Sequence, residues 1–164
     1  MTTTLRRTLA ALAAIVLMLG GALVAAGPAS SAAPSLPALT AIRTGLNPGF
    51  DRIVLDLTAG AAPGVNYQLT DELIADPSTE IVWLTGEYFV NVTANFATAH
   101  NDSGNPTYPG PSKFRTRNLH NVMAVAVIGD WEGSLLIGLG VRYRSTVNVF
   151  TLTAPNRVVI DVAH

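Results

Sequence analysis

The sequence of 164 residues contains no cysteine. Its fold must therefore depend on an apolar core and not on disulfide bonds, and a thiol nucleophile is excluded. Lipidation is excluded as well, because attachment of diacylglycerol requires a cysteine at the processed N-terminus. If the chain is exported, the absence of cysteine fits a bacterial envelope better than a disulfide-dense secreted module.

Positive charge is also scarce. Outside residues 1–33, eight Lys and Arg stand against eleven Asp and Glu, which gives a formal net charge of −3. Nucleic acids select strongly basic surfaces, so this balance argues against a nucleic-acid partner. The same stretch is long enough for one domain with its own core and too short for two domains of ordinary size.

The N-terminus has the pattern of an export signal. Arg6 and Arg7 precede an uncharged, apolar run from Leu9 to Ala26, and small residues follow. This order predicts a signal peptide over residues 1–33 and a secreted or extracytoplasmic protein of the cell envelope. After cleavage no membrane span remains. A retained anchor stays open as an alternative, because the run approaches the roughly 20 residues of a spanning helix.

After the signal no segment has a sustained helical period, apart from a possible short helix around 71–75. A linker is expected over residues 34–38 and a folded domain over 39–164. Within the domain, short β-branched runs alternate with polar residues and are separated by Pro, Gly and Asn turns. The candidate strands are 40–43, 52–57, 65–70, 80–84, 88–95, 122–128, 134–139, 147–152 and 157–162. Such spacing is typical of an all-β sandwich or barrel.

Two of these strands have similar sequences. The segment from Arg52 to Leu57 matches the segment from Arg157 to Val162 in residue type at every position. If they pair antiparallel in the register 52 with 161, 54 with 159 and 56 with 157, Arg and Asp lie opposite each other at both ends. We predict this pairing, with convergence of two amphipathic strands as the alternative.

One connection is unusually long. Residues 97–118 include several prolines, glycines and asparagines and no apolar run. Loops of this length in a compact domain are functional or mobile, and the prolines together with Tyr108 favour an ordered path.

Several segments together resemble the AMIN-like domain, a family of exported bacterial proteins related to the AMIN modules of cell-wall amidases and secretins. The segments that carry the resemblance are 49–56, 100–110, 129–133, 138–140 and 155–164. The resemblance implies a single β-sandwich of short, mostly antiparallel strands and a targeting or binding role at the cell wall. It implies no catalysis.

Catalytic signatures are weak. Asp130 and Glu132 flank Trp131, and a glycosidase uses such a pair of carboxylates, here beside an aromatic ring, for catalysis. The glycines at 129 and 133 favour a charged turn instead, with carbohydrate stacking on Trp131 as a further possibility.

Cofactor and metal motifs are weak too, so neither a cofactor nor a metal is predicted. The three histidines, at 100, 120 and 164, lie far apart and outside a His-Glu-x-x-His frame. Asp102 to Asn105 suits an Asx turn better than a calcium loop. Gly138 and Gly140 precede no helix that would receive a phosphate.

The clearest candidate for binding is a run of alternating cations. Lys113, Arg115 and Arg117 would point the same way in an extended chain. Guanidinium groups bind the carboxylates and phosphates of wall polymers well, although a solvated loop face is the alternative. With the two nearby rings, the predicted binding residues are Tyr108, Lys113, Arg115, Arg117 and Trp131.

Three functions follow from these observations. The first is a non-catalytic envelope domain that binds peptidoglycan or an associated wall polymer. The second is a structural module that contacts another envelope protein through an exposed strand edge. The third is a wall-glycan hydrolase that uses Asp130 and Glu132.

Overall fold

The computed structural model of the protein describes residues 35–164. The predicted signal peptide and its alternative, a retained anchor, lie outside the described residues. Within those residues no helix is long and apolar enough to cross a membrane. The possible short helix at 71–75 is replaced by bends and a single bridge between Ile74 and Ile81.

Two antiparallel sheets form the domain, and they confirm the predicted β-sandwich. One has four strands in the order β1-β2-β9-β8, and the other has five in the order β3-β4-β7-β6-β5. The nine strands in the described residues are β1 (Leu39–Asn47), β2 (Phe50–Leu57), β3 (Gly64–Thr70), β4 (Tyr88–Asn95), β5 (Lys113–Arg115), β6 (Val122–Trp131), β7 (Ser134–Val141), β8 (Val147–Leu152) and β9 (Arg157–Ala163).

The core lies between the sheets. Alternate residues of β2, such as Ile53 and Leu55, are fully buried, and so are Val90 and Val92 of β4. Their intervening neighbours are partly exposed, as expected for strands with one buried face. Burial of apolar surface at roughly 25 cal/mol per Å² is the main stabilising contribution to such a fold.

The predicted pairing of the two similar strands is confirmed. β2 and β9 are antiparallel neighbours, with Arg52 opposite Asp161 and Asp56 opposite Arg157. Arg52 donates two hydrogen bonds of 2.7 Å to Asp161. Asp56 instead accepts two hydrogen bonds from Arg43 of β1, because β2 lies between β1 and β9 and offers the carboxylate a partner on either side.

Residues 71–87, here called the cover segment, lie over the outer face of the five-stranded sheet. The predicted strand at 80–84 is wrong, since this part joins no sheet and only Ile81 forms an isolated bridge. Leu73 packs there against Ala126 and Ile128 in a second, smaller core. Two glycines of β7 permit the contact, because a Cβ on Gly138 would lie 2.6 Å from Leu73 and one on Gly140 only 2.0 Å from the carbonyl oxygen of Thr85.

The long connection after β4 follows an ordered path. Asn101 Oδ1 accepts hydrogen bonds from the backbone N–H groups of Ser103 and Asn105, so an Asx turn begins at Asn101, one residue before the predicted segment 102–105. At its beginning the loop also binds the chain ahead of β1. Thr98 exchanges backbone hydrogen bonds with Pro37 and Leu39, and Pro37 and Ala38 are buried although they belong to the predicted linker.

A buried polar cluster closes one end of the sandwich. The carboxylate of Asp51 is fully buried and accepts the backbone N–H groups of His120, Asn121 and Val122 at 3.0, 2.6 and 2.8 Å. The side chain of Asn121 in turn donates to Ser145 and to the carbonyl oxygen of Ala163. The cluster fixes the segment that leads into β6 to Asp51 of β2 and, through Asn121, to the end of β9.

Candidate functional site

Strand β5 lies at the edge of the five-stranded sheet and sets the direction of the predicted cations. It pairs with β6, so that Lys113 is opposite Ala126 and Arg115 is opposite Ala124. Phe114 between them packs against the main core. Because side chains alternate across a strand, Lys113 and Arg115 share the outer face of the sheet.

An exposed tryptophan of the cover segment stands beside these cations. Trp83 is 81% exposed, the highest value among the large hydrophobic side chains of the described residues. It lines a small cleft of about 140 Å³ together with Lys113 and Arg115. We call this the edge cleft; its other lining residues are Leu84, Thr85, Phe114 and Ala124.

The charges at the edge cleft are uncompensated by protein groups. Lys113 and Arg115 form no ion pair within residues 35–164, whereas Arg43, Arg52 and Arg144 each pair with an aspartate. The cover segment beyond the cleft carries exposed carboxylates at 71, 72, 76, 80 and 87. An anion approaching the outer face is therefore attracted to the cleft and repelled from its surroundings.

A second, larger cleft lies where the long connection folds against the end of β6. We call it the loop cleft. Its volume is about 550 Å³, and its walls include Pro106, Tyr108 and Trp131. Its other lining residues are Ala99, His100, Gly104, Gly110, Ser112, Val127 and Asp130.

Local sequence explains how the two rings of the loop cleft are held. The ring of Tyr108 lies over Gly110, where a Cβ would come within 2.2 Å of the phenolic oxygen. Burial raises the pKa of the Tyr108 phenol. Trp131 ends β6 just before Glu132 and Gly133, whose φ angles of 49° and 74° form the two-residue hairpin turn that joins β6 to β7.

A short polar contact crosses the same cleft. His100 Nδ1 lies 2.6 Å from Asp130 Oδ2, which requires the proton to sit on Nδ1 when the carboxylate accepts. The other oxygen of Asp130, Oδ1, is buried and has no hydrogen-bond partner among the described residues. A buried acceptor without a donor is costly, whereas the Asp130 side chain as a whole is 22% exposed and can be reached from the cleft.

The structure therefore divides the five predicted binding residues. Tyr108 and Trp131 line the loop cleft, and Lys113 and Arg115 line the edge cleft. Arg117 is exposed in a bend beyond β5 and lines neither cleft. The alternation of the three cations correctly predicts one shared face for the first two, and the third lies past the end of the strand.

The proposed pair of catalytic carboxylates is also divided. Asp130 lines the loop cleft, whereas Glu132 is exposed in the hairpin turn and lines a neighbouring cleft of about 710 Å³. A glycosidase needs two carboxyl groups on either side of one glycosidic bond, and neither of these two clefts is lined by both carboxylates. Among residues 35–164 no group of three or more His, Asp or Glu side chains converges on a position for a metal ion.

Two residues of these clefts were not predicted from the sequence. Trp83 lies in a segment whose alternation is that of a half-buried strand, and nothing in that pattern shows that its outer side stays open. His100 meets Asp130 only because the long connection folds back on β6, 30 residues away. The placement of Trp83 beside Lys113 and Arg115 could be recognised only once the order of the strands in the sheet was known.

The edge cleft and the loop cleft thus lie next to strand β5, at the edge of the five-stranded sheet. The sequence profile of the AMIN-like domain family matches residues 37–164, and the chain belongs to this family. AMIN-like domains are cell-wall-related, typically extracytoplasmic envelope domains that are generally non-catalytic. No match was found among curated proteins or among solved structures.

Proposed function

We propose that this domain binds an anionic cell-wall polymer, peptidoglycan or a polymer associated with it, and that the edge cleft is the contact surface. The observation that carries the proposal is the placement of Trp83 beside Lys113 and Arg115 on one open face. Trp and Arg are enriched among the residues that dominate binding energy at protein interfaces. A guanidinium group offers a planar fork for carboxylate or phosphate, and the ammonium of Lys113 offers a point charge.

The site also has the position that a long polymer requires. β5 is short and lies at the edge of its sheet, so a chain can pass along it without meeting another strand. Neither cation must break an ion pair within residues 35–164 before it binds. Two exposed ion pairs of up to about 1 kcal/mol each correspond to a change in Kd of up to roughly 30-fold.

Co-sedimentation with purified insoluble cell wall tests the proposal. Lys113→Ala/Arg115→Ala should reduce the bound fraction, whereas Arg43→Ala/Arg157→Ala, on the four-stranded sheet, is the control with the same change in net charge. Binding of the parent should also weaken as ionic strength rises past ~0.15 M, where the Debye length is about 8 Å. Equal sedimentation of the two double variants, or binding that ignores salt, would contradict an electrostatic role for the edge cleft.

A second candidate function is contact with another envelope protein by strand addition. Strand β3 favours it, because this edge strand has seven residues and no charged side chain. Tyr67 and Leu69 on β3 remain 43% and 39% exposed. Uncharged edge strands are templates for pairing with another chain. Leu69→Lys should abolish such a contact and leave sedimentation with purified wall unchanged.

A further inference from the structure

The loop cleft adjoins the edge cleft but differs from it in size and chemistry. Ser112 lines the loop cleft and the next residue, Lys113, lines the edge cleft. The volumes are about 550 and 140 Å³, so only the larger cleft has room for a ring-sized group. Because side chains alternate, Ser112 lies on the opposite side of the edge strand from Lys113, so a polymer that contacts both clefts passes around this edge.

The walls of the loop cleft present fixed aromatic surface to solvent. Trp131 is 53% exposed, and it is held in register by its pairing with Ser134 in the hairpin. Tyr108 is half-buried and is seated over Gly110. A pyranose ring has a face of C–H bonds that packs on such rings while its hydroxyl groups stay at the rim, where they need polar partners.

The polar groups of the cleft select for a ligand that donates hydrogen bonds. Asp130 Oδ1 is buried without a partner, and its second oxygen is already bonded to His100. No Lys or Arg lines this cleft. A phosphate or carboxylate would face Asp130 without a compensating cation, whereas a sugar hydroxyl or an acetamido N–H can donate to its carboxylate, whose side chain is 22% exposed.

We propose that the loop cleft is a subsite for a neutral, hydroxyl- and amide-bearing sugar ring of the polymer whose anionic groups the edge cleft binds. This inference rests on the proposed function for its biological ligand. The subsite itself depends only on Trp131, Tyr108 and the Asp130–His100 pair. The two clefts thus bind different chemical features of one polymer. The loop cleft binds a neutral ring, and the edge cleft binds an anion.

The chain contains two tryptophans, one in each cleft, which provides a direct test. Trp83→Phe leaves Trp131 as the only tryptophan reporter, and Trp131→Phe leaves Trp83. The probes are a soluble, uncharged oligomer of β-linked N-acetylglucosamine and an anionic poly(glycerol phosphate). The neutral oligomer should change the tryptophan emission of Trp83→Phe in a saturable manner and leave that of Trp131→Phe unchanged.

A matched pair of charge variants tests the hydrogen-bonding role of the cleft. Asp130→Asn removes the charge of the carboxylate and should raise the Kd for the neutral oligomer about 10-fold, the effect of one lost hydrogen bond to a charged group. Glu132→Gln makes the same change of charge two residues away, in the neighbouring cleft, and should leave the Kd unchanged. Equal effects of the two variants would overturn the assignment of Asp130.

The outcomes also separate this inference from the proposed function. If the anionic polymer alters Trp83 emission while the neutral oligomer alters neither reporter, the subsite is refuted and the edge cleft stands. If the neutral oligomer acts on Trp131 while the anionic polymer has no effect on Trp83, the subsite stands and the proposed anionic contact is refuted. A response of Trp83 alone to the neutral oligomer would overturn the division of roles.

Discussion

Removal of the Asp51 carboxylate tests whether the buried polar cluster holds the long connection in place. Asp51 is fully buried and accepts three backbone N–H groups of residues 120–122. Asp51→Ala would leave these donors unsatisfied, and each buried orphan costs roughly 1–3 kcal/mol. Water entry and relaxation of the loop reduce the sum, so we expect a loss of about 3–5 kcal/mol from a total of about 5–15 kcal/mol.

The geometry also predicts a smaller effect for Asp51→Asn. Oδ2 accepts two of the three hydrogen bonds and Oδ1 accepts one, from His120. An asparagine can keep the pair with its carbonyl oxygen, but its amide then faces the His120 N–H as a second donor. One unsatisfied donor predicts a loss of roughly 1–3 kcal/mol.

Urea denaturation followed by circular dichroism measures these differences. Asp161→Asn is the control, because its ion pair with Arg52 is partly exposed and such pairs contribute about 0–1 kcal/mol. The expected order of destabilisation is Asp51→Ala, then Asp51→Asn, then Asp161→Asn. An Asp51→Ala variant within about 1 kcal/mol of the parent would refute the assignment of three unsatisfied donors.

Two further predictions concern packing and pH. Gly140→Ala should lower the free energy of unfolding by roughly 1–3 kcal/mol, since its Cβ would collide with the carbonyl oxygen of Thr85. Gly64→Ala is the control, because a Cβ at position 64 would have no atom within 4 Å. Equal melting temperatures of the two variants would contradict close contact between the cover segment and β7. The Arg43 guanidinium, by its hydrogen bond, lowers the pKa of Asp56 below 3.8, so the parent should exceed Arg43→Gln in stability above that pH and lose the advantage as pH falls through the lowered pKa. Denaturation of both proteins across this pH range measures the difference, and a constant difference would contradict the linkage.

Strands such as β2 and β4 were predictable because each has one buried and one wetter face, whereas β6 and β7 are buried on both faces and were predicted from short β-branched or apolar runs. The register of β2 with β9 followed from matching alternation and from the Arg and Asp at the ends of each segment, and the structure has that register. The bond of Asp56 to Arg43 was not predictable in the same way, because it depends on β1 being the other neighbour of β2.

The strand wrongly predicted at 80–84 and the unpredicted strand β5 have one physical cause. The segment 80–84 alternates like a strand, but alternation also suits a chain that lies flat on a sheet with Val82 and Leu84 turned inward. Conversely, β5 has only three residues, too few to establish a period. Sequence pattern gives the buried side of a segment and not the element that covers it, so Trp83 could not be assigned to the edge cleft in advance.

The most direct test of the central claim is a map of amide chemical shifts in the isotope-labelled domain during titration with soluble anionic wall fragments. Binding at the edge cleft predicts the largest changes at residues 83–85 and 113–115, and these changes should diminish as salt is added. Changes concentrated on strand β3, with residues 83–85 and 113–115 unaffected, would contradict the claim and favour contact through the sheet edge.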